Sequence, residues 1–213
     1  VSARDAIFSA IGRALGQPAD PAAIRAEADA LLSEPERVRP RLPEGDLVTL
    51  FEAAVKRLPP GASSERLASL GDVPAACARR LAALGIAPTL KIQPLPDLER
   101  LDWPAAGLAA SVEVDDRVSV SLVERGIAET ASLVLRSGPE MAILDAFLPL
   151  HHIAVLRAGD IVAYLEDAVA GADLARSRNL VVVTGPSGTT DIEGSLVIGV
   201  HGPATLHILL VED

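Results

Sequence analysis

At 213 residues the chain is long enough for one sizeable core, or for one domain with a helical extension. It is 49% apolar with five aromatic residues (Phe8, Phe51, Trp103, Phe147, Tyr164), so the core must be built from Ala, Val, Leu and Ile. A formal charge of −10 with no stripe of Lys and Arg argues against nucleic acid and against an anionic membrane surface as partners. The single cysteine, Cys77, excludes an internal disulfide and any metal site that needs several thiolates from this chain.

The first elements are helical. Ser2 with Asp5 three residues on reads as a capping box, and Ile7, Ile11 and Leu15 follow at helical spacing until Gly16. Asp20 then reads as an N-cap with Pro21 at the first helical position, ahead of Ile24, Ala28, Leu31 and Leu32. From Ser33 to Gly45 no apolar period survives among prolines and charges, which predicts a flexible connector. The expected division is therefore a helical extension with linker over 1–45 and a main domain over 46–213.

In the main domain, Leu47, Leu50, Phe51, Ala54 and Leu58 predict a helix behind Asp46, and a second runs from Asp72–Pro74 to Gly85. Cys77 falls inside that second pattern as a small apolar residue. A short strand is predicted in IAPTLKIQPLP. Further strands follow in RVSVSL, ASLVL (Ala131 to Leu135), HIAVL, LVVVT and LHILLV. Helices are predicted in EMAILDAF and DIVAYLEDAVAG. Strands separated by helices imply a layered α/β domain with a largely parallel sheet and flanking helices. In such sheets sites gather at the carboxyl ends of strands. RSGPE, TGPSGTTDIE and GVHGP are the polar loops expected there.

The chemistry-bearing residues cluster in those loops. Gly185 to Thr190 lacks the lysine of a Walker motif, but its glycines could form an anion nest of backbone N–H groups. No Lys or Arg occurs from Asn179 to Asp213, so an anion there relies on backbone donors or on an arginine from elsewhere, such as Arg136 or Arg178. Asp191, Glu193 and His201 carry ligand-type side chains at a spacing that matches no metal motif; turn chemistry is the alternative account, and no metal is expected. Glu129, ahead of a buried strand, is the candidate nucleophile, general base or structural anchor. Neither Ser137 nor Ser187 sits in a nucleophile elbow. His151 and His152 are neighbours on a strand, so at most one faces the loops.

AETASLVLRSG, LPLHHIAVL, TGPSGTTDIEGSLVIGVHGP and the terminal LHILLV together resemble the LUD-domain proteins, and among them the lactate-utilisation protein C group. The similarity runs from about Asp115 to the end. It differs at Ala131–Ser132, where family members commonly carry Gly–Thr, and at Gly188, where they commonly carry a basic residue. The resemblance implies a fold like that of the sugar-phosphate isomerase and CoA-transferase superfamily. It also implies a part in oxidising L-lactate to pyruvate, shared with iron–sulfur partner proteins, with no cofactor in this chain itself. The expected ligand or docking residues are Thr130, Ser137, Gly138, Gly185, Pro186, Ser187, Thr189, Asp191, Glu193, His201, Gly202 and Pro203, facing a partner or a small organic acid or anion. A stand-alone superfamily enzyme using Glu129, or a purely structural or interaction subunit, remain the alternatives. The absence of a signal-like start and of a long apolar run predicts a cytoplasmic protein without membrane insertion.

Overall fold

The computed structural model describes residues 2–16, 20–37, 39–112, 117–170, 177–190 and 192–213. It divides into two compact units, Val1–Leu42 and Pro43–Asp213. The first holds helices α1 (Ala3–Leu15) and α2 (Pro21–Ser33). Their starts are written in the sequence: Ser2 Oγ accepts the Asp5 N–H at 3.1 Å while Asp5 accepts the Ser2 N–H at 3.2 Å. Asp20 accepts the Ala22 N–H at 3.0 Å, with Pro21 next.

The second unit begins with α3 (Leu47–Val55), β1 (Ala62–Leu67), α4 (Val73–Leu84), β2 (Thr89–Ile92), α5 (Pro96–Glu99) and β3 (Ala109–Ser111). Next come β4 (Val118–Leu122), β5 (Arg125–Ile127), β6 (Ser132–Arg136), β7 (His151–Arg157), β8 (Ile161–Val162) and α6 (Leu165–Val169). The chain closes with β9 (Leu180–Thr184), β10 (Gly188–Thr190), β11 (Leu196–Ile198) and β12 (Thr205–Val211). Asp46 caps α3 by accepting the Thr49 N–H at 2.9 Å. Gly85 ends α4 in the left-handed region, with Ile86 N–H returning to the Leu81 carbonyl at 3.0 Å.

The main sheet is six-stranded in the order β1-β12-β7-β4-β2-β3, and every pairing in it is parallel. One face packs on α4: Val73, Ala76, Cys77 and Leu81 meet Val118, Val120, Ile153, Val155, Leu209 and Val211, all buried. The other face carries Leu156, and β5 lies so close to it that a Cβ on Gly126 would stand 2.4 Å from the Leu156 Cδ2. Strand β5 belongs to a second sheet, β8-β5-β6-β9, in which β6 runs antiparallel to both its neighbours. Strands β10 and β11 form a separate hairpin.

The α/β class and the parallel sheet are as expected, with corrections in detail. ASLVL and LVVVT do not join the parallel sheet; they become β6 and β9 of the second one. The predicted helix over 140–147 is a single 3-10 turn, Ile143–Ala146. Lys91 and Ser119 pin that turn to the sheet, donating to the Asp145 side chain at 2.8 Å and to its carbonyl at 2.6 Å. In the helix predicted over 160–171, Ile161–Val162 instead pair with Gly126–Ile127 as β8. Asp167 then caps a fresh start by accepting the Tyr164 N–H at 3.1 Å, and α6 begins at Leu165. Residue 171 lies outside the described residues. Strand β1 has no apolar alternation to announce it; as an edge strand paired only with β12 it tolerates the polar ASSERL.

One close approach holds the start of β12. A Cβ on Gly61 would stand 2.3 Å from the Ala204 carbonyl oxygen, and Gly61 has φ +103°. Its own carbonyl accepts the Leu206 N–H at 3.0 Å. Gly61→Ala is therefore expected to cost roughly 3 kcal/mol in urea denaturation, since a backbone oxygen cannot step aside. Gly159→Ala, where nothing lies within 4 Å, is expected to stay within about 0.5 kcal/mol of the parent.

Candidate functional site

The quoted glycine-rich loops fold back on the start of β12. Ser187 N–H donates to the Pro203 carbonyl at 2.8 Å, Gly199 N–H to the Ser187 carbonyl at 2.8 Å, and Ala204 N–H to the Leu150 carbonyl at 2.7 Å. Gly185 and Gly199 adopt φ +75° and +81°, which favours glycine at both turns. Between these loops, the amino-terminal ends of β7 and β12 and the carboxyl end of β9 lies a cavity of about 270 Å³. Phe147, Val182, Val183, Pro203 and Leu206 give it apolar walls; Thr184, Ser187, His152 and His201 supply the polar groups.

His152 is the unusual member. It is 1% exposed, its Nε2 lies 2.7 Å from the Ser121 hydroxyl, and its Nδ1 has no hydrogen-bond partner among the described residues. Burial pushes its pKa down to about 4, so the imidazole is neutral at physiological pH. A neutral ring with one nitrogen held by serine presents the other as a single donor or acceptor, and a buried one left unmade is costly. His151 turns to the opposite face, where its Nδ1 meets Thr205 Oγ1 at 2.9 Å. No carboxylate lines the cavity among the described residues.

The structure groups the expected site residues unevenly. Gly185, Ser187, His201, Gly202 and Pro203 line the His152 cavity. Pro186 is buried behind it, in reach of the Cβ position of Gly61. Thr130 reaches the same end through a relay of hydroxyls: Thr130 to Ser132 at 2.6 Å and Ser132 to Thr184 at 2.6 Å. Glu129 lies half-buried in the turn after β5, its N–H donating to the Ala163 carbonyl at 3.2 Å, and it lines neither this cavity nor the larger cleft described below. Thr189 and Glu193 stand exposed on the β10–β11 hairpin, and Asp191 lies outside the described residues. Ser137 and Gly138 are at the far end of β6, because β6 and β9 run antiparallel with Ser132 opposite Thr184 and Arg136 opposite Leu180. The three polar loops therefore do not share one carboxyl edge. GVHGP precedes its strand, and RSGPE and TGPSGTTDIE leave opposite ends of the second sheet. Phe147 and Thr184 were not expected in a site. For His152 the adjacent pair was the signal, and only the register of β7 decides which histidine turns inward.

Ala131, 0% exposed, has φ +54°, a left-handed conformation that a non-glycine residue rarely adopts. It starts β6 at the point where the Thr130–Ser132–Thr184 relay forms. This turn therefore holds strain beside the cavity.

The arrangement defines an α/β protein whose parallel sheet is backed by a second, mixed sheet, with loop-lined cavities at the sheet ends. The LUD domain family profile matches residues 51–211, and the chain belongs to that family. Curated relatives include lactate utilization protein C of Bacillus licheniformis, 31% identical over 121 residues, which cover 53% of this chain and 50% of that protein. The protein of the same name from Bacillus subtilis is 34% identical over 105 residues, covering 45% and 42%. The chain thus spans about half the length of the curated relatives it matches. A crystal structure of a DUF162 family protein from Deinococcus radiodurans shares the fold, with TM-score 0.60 and 22% identity over 80% of this chain and 99% of that one.

Two buried histidines give the protein a pH signature. His207, 6% exposed, lies on the α4 face with its Nδ1 at 2.8 Å from Ser63 Oγ, and burial pushes its pKa too down to about 4. Both groups are lowered on folding, so their contribution is full above the unfolded value of about 6.5 and is lost as pH falls towards 4. Urea denaturation is expected to show about 2 kcal/mol lost per histidine between pH 7.5 and 5. His152→Gln is expected to remove about half of that slope.

Proposed function

We propose that this chain serves in lactate utilisation as a subunit without a cluster of its own. In this reading it binds a small 2-hydroxy or 2-oxo acid in the His152 cavity and assembles with iron–sulfur proteins. The names of its relatives support the process. The observation that carries the site is the unpartnered Nδ1 of buried His152 beneath the two loops, TGPS and HGP, on which the family resemblance rests. The absence of a carboxylate from the described lining suits an acid, and neutral His152, Ser187 and Thr184 can hydrogen-bond its hydroxyl or carbonyl. An apolar wall of Phe147 and Leu206 suits its methyl end. Cys77 is buried in α4, and burial pushes its thiol up to about 12. Among the described residues no group of three or more His, Cys, Asp or Glu is placed to hold a metal ion. No described helix is long and apolar enough to cross a membrane.

Titration calorimetry with L-lactate and with pyruvate tests the site. Saturable binding is expected for at least one acid, weakened tenfold or more by Ser187→Val, which narrows the cavity beside Gly202. An anaerobic pull-down of the tagged chain from lactate-grown cells tests the assembly, with cysteine-rich iron–sulfur proteins as the expected company. No binding of either acid would overturn the site, and no such partner would overturn the subunit reading.

A further inference from the structure

A cleft larger than the His152 cavity lies elsewhere and belongs to different chemistry. In the main sheet β2 and β4 are neighbours. The chain leaves β2 through α5 towards β3 on the outer edge, and leaves β4 for β5 and β6 of the second sheet before it returns to the main sheet as β7 on the inner side. Their carboxyl-end connections therefore part, and such a switch point opens a crevice where α/β sheets bind ligands. A cleft of about 480 Å³ opens at that place, walled by the residues that follow β2 and β4 and by the loop after β6.

A second observation points to a ligand. Gln93, 8% exposed, lines the cleft just beyond β2. Its N–H donates to the Val120 carbonyl at 3.0 Å, and its side-chain Oε1 accepts the Leu122 N–H at 2.8 Å. Because a backbone N–H can only donate, the atom facing it must be the amide oxygen, and the NH2 group is turned away from it. That NH2 has no hydrogen-bond partner among the described residues. Two donor hydrogens are thus held in a fixed orientation on a largely buried side chain, at an atom that stays open to the cleft, where water or the acceptor of a ligand meets them.

Charge decides the kind of acceptor. Arg136 is held by Glu124 through two hydrogen bonds, at 2.7 and 2.9 Å, and also reaches Ser177 at 3.3 Å. Asp160 is held by Arg125 at 2.7 Å. With Arg136 offsetting Glu124 and Arg125 offsetting Asp160, Glu140 on the exposed rim leaves the cleft with a small net negative charge. A phosphate or carboxylate would meet net repulsion, and an ammonium has no lone pair to offer Gln93. An alcohol meets both demands: its oxygen accepts from the Gln93 NH2 while its proton is given to a carboxylate. Ser137 adds a hydroxyl, its oxygen already accepting the Asn179 N–H at 2.9 Å. Leu95, Leu122 and Met141 supply an apolar surface for a ring.

We infer that the cleft at the carboxyl ends of β2 and β4 is a second ligand site, and that it takes an uncharged polyhydroxylated compound of the sugar or nucleoside kind through the Gln93 amide. The site is separate from the His152 cavity, which lies at the amino-terminal ends of β7 and β12.

Saturation-transfer NMR and calorimetry with D-ribose, adenosine and ribose 5-phosphate on the full chain test this. Ribose or adenosine is expected to bind saturably, and ribose 5-phosphate at least tenfold more weakly than ribose. Gln93→Glu keeps an oxygen for the Leu122 N–H and removes the donors. Gly138→Leu fills the cleft from a position where a Cβ meets nothing within 4 Å. Each variant is expected to weaken the neutral ligand at least tenfold at an unchanged melting temperature. If Gln93→Glu proves unstable, Gly138→Leu alone carries the test. Binding of neither neutral compound, tighter binding of the phosphate, or undiminished binding by a folded variant would each overturn the inference. Titration of L-lactate on the same variants reads the other cavity separately, so failure at one site leaves the result at the other intact.

Discussion

Everything in the second unit hangs on the last strand. Strand β12 lies between β1 and β7, pairing in parallel with both, and its residues Leu206 to Val211 are all buried. A strand buried on both faces must be in register, because a slip of one residue would exchange every side chain between them. Here such a slip would send Ile208 to the α4 side and His207 to the side of the second sheet. The register is held at the strand's start by the approach of Gly61 to the Ala204 carbonyl and by the Ala204 N–H bonded to Leu150. The same contacts shape the HGP loop, so folding and site formation rest on one set of backbone interactions.

That arrangement separates two kinds of polar environment at opposite ends of the parallel strands. At the amino-terminal end the described lining is free of carboxylates and includes a neutral, incompletely bonded histidine. At the carboxyl end the walls carry carboxylates, one guanidinium and a donor amide. Both sites use a buried side chain whose one hydrogen-bonding atom is fixed by the sheet, Ser121 holding His152 and Leu122 holding Gln93. In each case the remaining atom is oriented without the entropy cost of ordering it on binding.

Much of the fold is legible along the chain where the signal is local. The caps at Ser2, Asp20 and Asp46, the stop at Gly85, the alternation of β4 and the apolar runs of β7 and β12 are read correctly because each depends on residues a few positions apart. The failures share a cause. ASSERL is a strand only because β12 lies beside it, and Ile161–Val162 leave a helical pattern because Gly126–Ile127 offer a ladder. The 140–147 segment is set by Lys91 and Ser119, far away in sequence.

The site divides in the same way. The sequence by itself determined the residue chemistry: glycines for tight turns, a stretch from Asn179 to Asp213 without Lys or Arg, a histidine pair before a strand, one cysteine, and a family-specific combination of motifs. The tertiary structure alone decided that RSGPE and TGPSGTT stand at opposite ends of one sheet, and that His152 rather than His151 turns inward. It alone placed Gln93 at a switch point. The physical reason is that strand direction and register are properties of pairs of segments, and neither can be read from one segment on its own.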